Sequence, residues 1–311
     1  MKVLFVSSGK NGGVSIVVKN QGESLKDLGI NIDYFTIEPG LWGYTKSILK
    51  LRKKFKSGNY NVVHAHYSFS GFVGSLAGCK PLVVSLMGSD VYQSWFWRAV
   101  TVFFSKNIWD KTIVKSDRMM GDLKINHAEV IPNGVNVERF KVIKKIIARK
   151  YLNIPEKSKL IISVFALERP EKNIKLAKSA VKMLNISDVM LKFVYNIPNE
   201  EMPFYYNAAD VLLVTSKWEG SVNVVKEAMA CNCPIVSTDV GDVRWVVGDT
   251  LGCYLTTFNP EDIAEKIKLA LEFREKEELT GGRDRLLMLG LDSWTVGKKI
   301  KKIYESILFK E

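Results

Sequence analysis

Short apolar runs separated by longer, mixed stretches set the rhythm of this chain. In the first half the runs are residues 3–6 (Val-Leu-Phe-Val), 32–36, 62–66 (Val-Val-His-Ala-His) and 81–86 (Pro-Leu-Val-Val-Ser-Leu). In the second half they are residues 160–165, 190–195, 211–214 and 235–238. Each has the length and composition of a strand buried on both faces. Residues 15–28, the segment ending at Leu184, and residues 223–231 and 262–273 read as helices between or after them. Strand and helix in alternation predict an α/β protein whose sheet is mostly parallel. A last amphipathic helix is expected over residues 294–308, with Ile300, Ile303, Tyr304 and Ile307 on one face.

Residues 210–247 show this organisation most clearly. The run 211–214 leads into a loop of small and polar residues, 216–222. A helix follows from about Asn223 and is stopped by Cys233-Pro234. The strand 235–238 then leads to Gly241 and another helix start, which completes one right-handed parallel crossover. Ligands bind such units where strands end and helices begin. Glu219 falls in that loop, and Glu227 falls about one turn into the helix, roughly 6 Å further along its axis. The helix start at Gly220, Ser221, Val222 and Asn223 would offer unpaired N–H groups and a positive dipole end to a phosphate. One polyhydroxylated group could meet Glu219 and a ribose diol Glu227. The alternative is a solvated helix residue and an ordinary loop charge.

At 311 residues the chain is long enough for two domains. Its 47% apolar and 25% charged content are those of a globular protein. No apolar run reaches the ~18 residues of a membrane span, and residues 1–6 read as a first strand rather than a signal peptide. Cys79, Cys231, Cys233 and Cys253 lack zinc spacing and are expected as free thiols in a reducing cytosol.

The charge is uneven. Residues 1–145 carry 21 Lys/Arg against 10 Asp/Glu, whereas residues 146–311 carry 24 against 23. An anionic partner is therefore expected for the first half. Residues 42–56 would place Ile48, Leu49, Leu51 and Phe55 on one helical face, surrounded by Lys46, Lys50, Arg52, Lys53, Lys54 and Lys56. Residues 94–111 hold Trp95, Phe96, Trp97, Phe103, Phe104 and Trp109 among Arg98, Lys106 and Lys111. Basic amphipathic helices with aromatics suit the anionic face of a bilayer; the alternative is core helices with a solvated basic side. No nucleic-acid recognition module is present, so nucleic acid is not expected as a partner.

Residues 219–241, Glu-Gly-Ser-Val-Asn-Val-Val-Lys-Glu-Ala-Met-Ala-Cys-Asn-Cys-Pro-Ile-Val-Ser-Thr-Asp-Val-Gly, resemble the Glu-x7-Glu signature of retaining glycosyltransferases of group 1, or family 4. The glycine-rich turn at residues 7–15, the strand ending in Gly88-Ser89-Asp90, and the stretch 131–140 (Ile-Pro-Asn-Gly-Val-Asn-Val-Glu-Arg-Phe) resemble the same family. The resemblance implies two facing Rossmann-like domains around a cleft: an acceptor domain at residues 1–143, a shortened nucleotide-sugar domain at 144–291, and a last helix at 292–311 crossing back to the first domain.

It also implies transfer of a sugar from a nucleotide diphosphate to a hydroxyl of a saccharide or lipid-linked acceptor, with anomeric configuration retained. Glu219 would contact the donor sugar and Glu227 the nucleotide ribose. Lys172 would hold the diphosphate, joined by Arg169, because the usual family arginine falls at Ala166. Gly12 and Gly13 would face donor and acceptor, and Asn196 and Ile197 would support the base. Many members carry a sugar-contacting His where this chain has Met87. With no Asp-x-Asp motif, neither a metal nor another cofactor is expected. His64 and His66 share a strand face, and structural or acceptor-side roles are expected for them ahead of a metal pair. A cytoplasmic enzyme of surface polysaccharide or glycolipid synthesis, peripheral on the membrane, would fit. The rival readings are a non-catalytic relative that binds or pairs with a partner, and a nucleotide-sugar 2-epimerase.

Overall fold

The computed structural model describes residues 1–9, 13–165, 169–276 and 279–309. The chain divides into two compact units, Met1–Gly134 with Ser293–Glu311, and Val135–Asp292.

The first unit is built on six strands: β1 (Lys2–Ser8), β2 (Asn31–Ile37), β3 (Val62–His66), β4 (Leu82–Ser85), β5 (Lys111–Val114) and β6 (Glu129–Val130). They pair in parallel in the order β2-β1-β3-β4-β5-β6. The connecting helices are α1 (Ile16–Lys26), α2 (Leu41–Ser57), α3 (Ser68–Leu76), α4 (Trp95–Asn107) and α5 (Asp117–Leu123). The near-continuous burial of β1, β3 and β4 follows from this layering, because helices cover both faces of the sheet. On one face Leu51, Phe72, Val73 and Met119 pack over Leu4, Val63 and Val84. On the other, α1 packs with the chain's last helix over Val3, Phe5, Val83 and Ile113.

In α2, Leu51 is buried and Ile48 and Phe55 pack against the core, but Leu49 is 69% exposed. At 100° per residue, the face holding positions 48, 51 and 55 turns position 49 toward solvent, which corrects the four-residue face expected from sequence.

The second unit begins at Val135, whose N–H bonds Leu291 O at 2.9 Å, with Phe140 in its core. The boundary thus lies at residue 134 rather than 143: residues 135–140, the later part of the stretch 131–140, pack with the second unit. Its helices and strands run α6 (Lys145–Tyr151), β7 (Lys159–Val164), α7 (Ile174–Met183), β8 (Val189–Val194), α8 (Met202–Ala208), β9 (Val211–Val214), α9 (Asn223–Ala230), β10 (Ile235–Thr238), α10 (Val243–Val247), β11 (Cys253–Thr256), α11 (Pro260–Glu275) and α12 (Gly282–Met288). The sheet is parallel, in the order β11-β10-β9-β7-β8. Strands 211–214 and 235–238 have the bounds read from the sequence.

The last helix, α13 (Ser293–Leu308), belongs to the first unit. Val296, Ile300, Ile303 and Tyr304 lie buried there, and the Tyr304 hydroxyl meets His64 Nδ1 at 2.6 Å. Among the described residues no helix is long and apolar enough to cross a membrane.

Candidate functional site

In a parallel sheet every strand ends on the same edge, and the crevice opens where successive connections leave in opposite directions. In the second unit that reversal lies between β7 and β9, since β8 sits outside β7 and β10 outside β9. The segments leaving these two strands carry Lys172 and Glu219. A short 3₁₀ turn, Pro170–Lys172, follows β7 and ends at Asn173, which takes a left-handed backbone. Thr215, just beyond β9, holds that turn by donating its hydroxyl to Lys172 O at 2.9 Å. The Lys217 N–H donates to Glu171 O at 2.8 Å. Pinned from both sides, Lys172 Nζ forms an ion pair with Glu219. The two side chains are 11% and 13% exposed, so the pair is largely withdrawn from solvent.

Arg169 points elsewhere. Its Nε donates to Glu171 Oε1 at 2.7 Å and half of its side chain is exposed. The structure thus directs Arg169 to Glu171, not to the Lys172–Glu219 pair. Ala166 lies outside the described residues.

Glu227 is one helical turn into α9. The Tyr206 hydroxyl of α8 donates to its Oε2 at 2.6 Å and orients the carboxylate. Burial raises the pKa of Glu227, opposed by this hydrogen bond and by the Arg139 charge. One carboxylate oxygen is thus committed, and the group can still accept from a diol. Beyond β8, Asn196 is exposed with φ +54°, and Ile197 packs against the unit's core. Residues 196 and 197 therefore form a turn on the edge that carries Lys172 and Glu219.

The start of α9 departs from the open phosphate cradle expected from sequence. The Val222 N–H donates to Asp242 Oδ1 at 3.0 Å, and the Ser221 hydroxyl donates to Asp242 Oδ2 at 2.8 Å. Lys226 Nζ donates to Asp242 Oδ2 at 2.6 Å and also to Ser221 Oγ. Ser221 and Val222 are thus engaged by the protein itself. Sequence reasoning missed Asp242, Lys226 and Tyr206. A lysine in an amphipathic helix normally reads as solvated, and its partner lies one strand away.

Gly241 supports the same loop. Its φ is +58°, and a Cβ there would lie 2.9 Å from Gly220 O and 3.2 Å from Glu219 O. Only a residue without a side chain allows the two backbones this close. Gly220 and Glu219 therefore rest directly on residue 241.

In the first unit the reversal lies between β1 and β3. The glycine-rich turn leaves β1 there, with Gly13 described and Gly12 outside the described residues. Among the described residues nothing lies within 4 Å of where a Cβ on Gly13 would sit. Tyr67, just beyond β3, holds φ at +82° without being glycine, a strained conformation. Asp90 accepts from the Ser68 N–H at 2.8 Å and the Met87 N–H at 2.5 Å, which ties the Gly88–Asp90 turn to the start of α3. That buried carboxylate supports the turn.

His64 and His66 stack with ring centroids 4.4 Å apart. His64 is held by Tyr304 and, at 2.8 Å, by Ser85. Burial drives both imidazoles to the neutral form, with the pKa of His66 falling to about 3. Among the described residues no group of three or more His, Cys, Asp or Glu could hold a metal ion.

The aromatics of residues 94–111 divide: Trp109 is buried and Phe104 packs against the core, whereas others reach the surface. Trp42 at the start of α2 and Trp95 at the start of α4 are each 80% exposed. Tyr44, Phe69 and Trp97 link the two helices, with centroid separations of 6.2 and 4.8 Å. Lysines of α2 lie on the same helix as Trp42, so an apolar tip and a basic flank share one element.

Two family models match this chain. Glycosyltransferase Family 4 covers residues 11–139, and Glycosyl transferases group 1 covers residues 188–281. The D-inositol 3-phosphate glycosyltransferase of Streptosporangium roseum is 23% identical, over 83% of this chain and 80% of its own. Among solved structures, sucrose-phosphate synthase from Thermosynechococcus elongatus superposes with a TM-score of 0.84 at 18% identity, covering both chains in full. HepE of Anabaena, in complex with UDP and glucose, gives a TM-score of 0.77 at 19% identity over 98% of this chain and all of its own. The second model spans Glu219 and Glu227, and the first spans β2 to β6 and the part of the glycine-rich turn from residue 11 onward. By these two matches, the chain belongs to the glycosyltransferases, with a family 4 match in its first part and a group 1 match in its second.

Proposed function

We propose that this protein transfers a sugar from a nucleoside diphosphate to a hydroxyl of a saccharide or lipid-linked acceptor, with retention at the anomeric carbon. The observation that carries this reading is the Lys172–Glu219 pair at the reversal point of the second sheet, with Tyr206-oriented Glu227 a helix turn beyond. Glu219 accepts from hydroxyls of the sugar and Glu227 from the ribose. Lys172 donates to the diphosphate, stabilising the charge that builds as it leaves.

In the reaction the bond from the anomeric carbon to the diphosphate oxygen breaks. The acceptor oxygen bonds to the same face of that carbon, and its proton passes to the departing phosphate. Glu219 orients the sugar and forms no bond to it. Lys172 meets the diphosphate charge in place of a metal ion. UDP is the first donor nucleotide to test, because HepE holds UDP and glucose.

The decisive experiment is product formation from UDP-, GDP- and ADP-sugars, with and without EDTA. Turnover of one donor, unchanged by chelator, is expected. Binding of a nucleotide with neither transfer nor hydrolysis would favour a non-catalytic relative, a reading that the diversion of Arg169 to Glu171 supports. A changed configuration at C2 of the sugar would identify an epimerase.

In this reading the acceptor binds the basic first unit, at an anionic membrane surface on the cytoplasmic side, in polysaccharide or glycolipid synthesis. Exposed Trp42, on the same helix as the lysines of α2, and exposed Trp95 of α4 support this. Flotation with anionic vesicles should recover the protein. Equal recovery with neutral vesicles would reject the electrostatic part of that reading.

A further inference from the structure

The start of α9 already holds an anion, and the protein supplies both that anion and its counter-charge. Asp242 follows Gly241, the residue on which Gly220 rests, and its carboxylate takes the Val222 N–H and the Ser221 hydroxyl. A carboxylate at a helix start is stabilised by the dipole, so Asp242 seats the loop that presents Glu219. Its charge also lies where a phosphate would be drawn. Lys226 stands opposite, within the helix, with Nζ 2.6 Å from Asp242 Oδ2. The side chains are only 1% and 2% exposed, so water screens this pair little.

A neutral Asn or Ser could have capped the same N–H without burying any charge. Here a charged cap is present and is cancelled on the spot. We infer that Lys226 is a charge-compensating, positioning residue of the donor site: it neutralises Asp242, which anchors the Glu219 loop and would otherwise repel the donor's diphosphate. The inference rests on the reading of the second unit as a nucleotide-sugar site.

A purely structural pair and a charge-compensating pair make different predictions for ligands that differ in charge. The experiment measures binding of UDP, UMP and uridine to the full-length protein by calorimetry, with thermal unfolding to confirm that each variant folds. Asp242→Asn leaves a cation at the helix start. UDP should then bind about tenfold more tightly and UMP by a smaller factor, with uridine unchanged. Lys226→Met leaves an uncompensated carboxylate, and the same series should weaken in the same order, UDP by about tenfold. The double variant Lys226→Met/Asp242→Asn should return UDP affinity to within about threefold of the parent, because the two charges leave together.

Equal weakening of all three ligands, or weaker UDP binding by Asp242→Asn, overturns the inference and leaves the pair a structural anchor. If Lys226→Met does not fold, Asp242→Asn and the double variant decide the matter by themselves. Should the parent bind none of UDP, GDP and ADP, the nucleotide-sugar reading fails, and this inference with it. Nucleotide binding without the charge-graded response rejects the inference alone.

Discussion

Lys172→Ala is expected to lower donor turnover by about 10²–10³-fold with the fold intact, as measured by kcat with the active nucleotide sugar. The size follows from position. Lys172 is nearly buried, is held by Thr215 through its own carbonyl, and faces Glu219 at the reversal point of the sheet. A fixed ammonium there needs no reorganisation when the diphosphate departs, and water is a poor substitute for it. The substitution also leaves Glu219 without its cation, so part of the loss should appear as weaker donor binding. Arg169→Ala is the contrast. Its side chain is half exposed and bonded to Glu171, so a loss below about tenfold is expected, in line with the small worth of exposed pairs. Turnover by Lys172→Ala within a factor of about three of the parent would remove this residue from the mechanism.

Gly241→Ala should both destabilise the second unit and impair activity. The backbone at 241 is left-handed, a conformation of order 1–3 kcal/mol for a residue with a side chain. The added methyl would also meet Gly220 O at 2.9 Å, and that neighbour is main chain with little freedom to yield. Together these predict a loss of about 2–4 kcal/mol in denaturant unfolding. Relief requires moving Glu219–Gly220, so kcat should fall as well. Neither residue 241 nor its methyl touches the reacting atoms, so a stable variant with parental turnover would show that the loop tolerates displacement.

Much of the second unit was legible because its strands are short, wholly apolar and bracketed by Gly, Pro and polar loops. Residues 211–214 and 235–238 lie where hydrophobic period alone puts them. Between them, α9 ends at Ala230, one residue short of the end read from the sequence ahead of Cys233-Pro234. The resemblance of residues 219–241 named two glutamates for the site, and the structure sets them on one edge, in the loop after β9 and in the first turns of α9. The domain boundary was less legible. Residues 135–140 look like a continuation of the preceding strand and turn, and only the pairing of Val135 with Leu291 reveals that they join the second unit.

The side-chain arrangement was not legible at all. Lys172 and Glu219 are 47 positions apart, and their pairing exists because β7 and β9 are neighbours in the sheet. Arg169, only three residues from Lys172, is turned away by Glu171 between them. For His64 the sequence left structural and acceptor-side roles open, and only the fold brings Tyr304, 240 residues later, to its ring nitrogen.

By itself, the sequence determined the α/β class, the positions of most strands and helices, the excess of positive charge in the first unit, and which carboxylates and lysine to watch. The first three depend on hydrophobic period, turn chemistry and composition, all of which are local, whereas the site residues came from the resemblance of residues 219–241 and of the lysine loop to the glycosyltransferases. Tertiary structure alone decided which charges meet. It joined Lys172 to Glu219, sent Arg169 to Glu171, and set Asp242, paired with Lys226, against Ser221 and Val222 at the start of α9. The reason is physical: strand order places residues distant in the chain within hydrogen-bonding reach, and a buried charge takes whichever partner the packing provides.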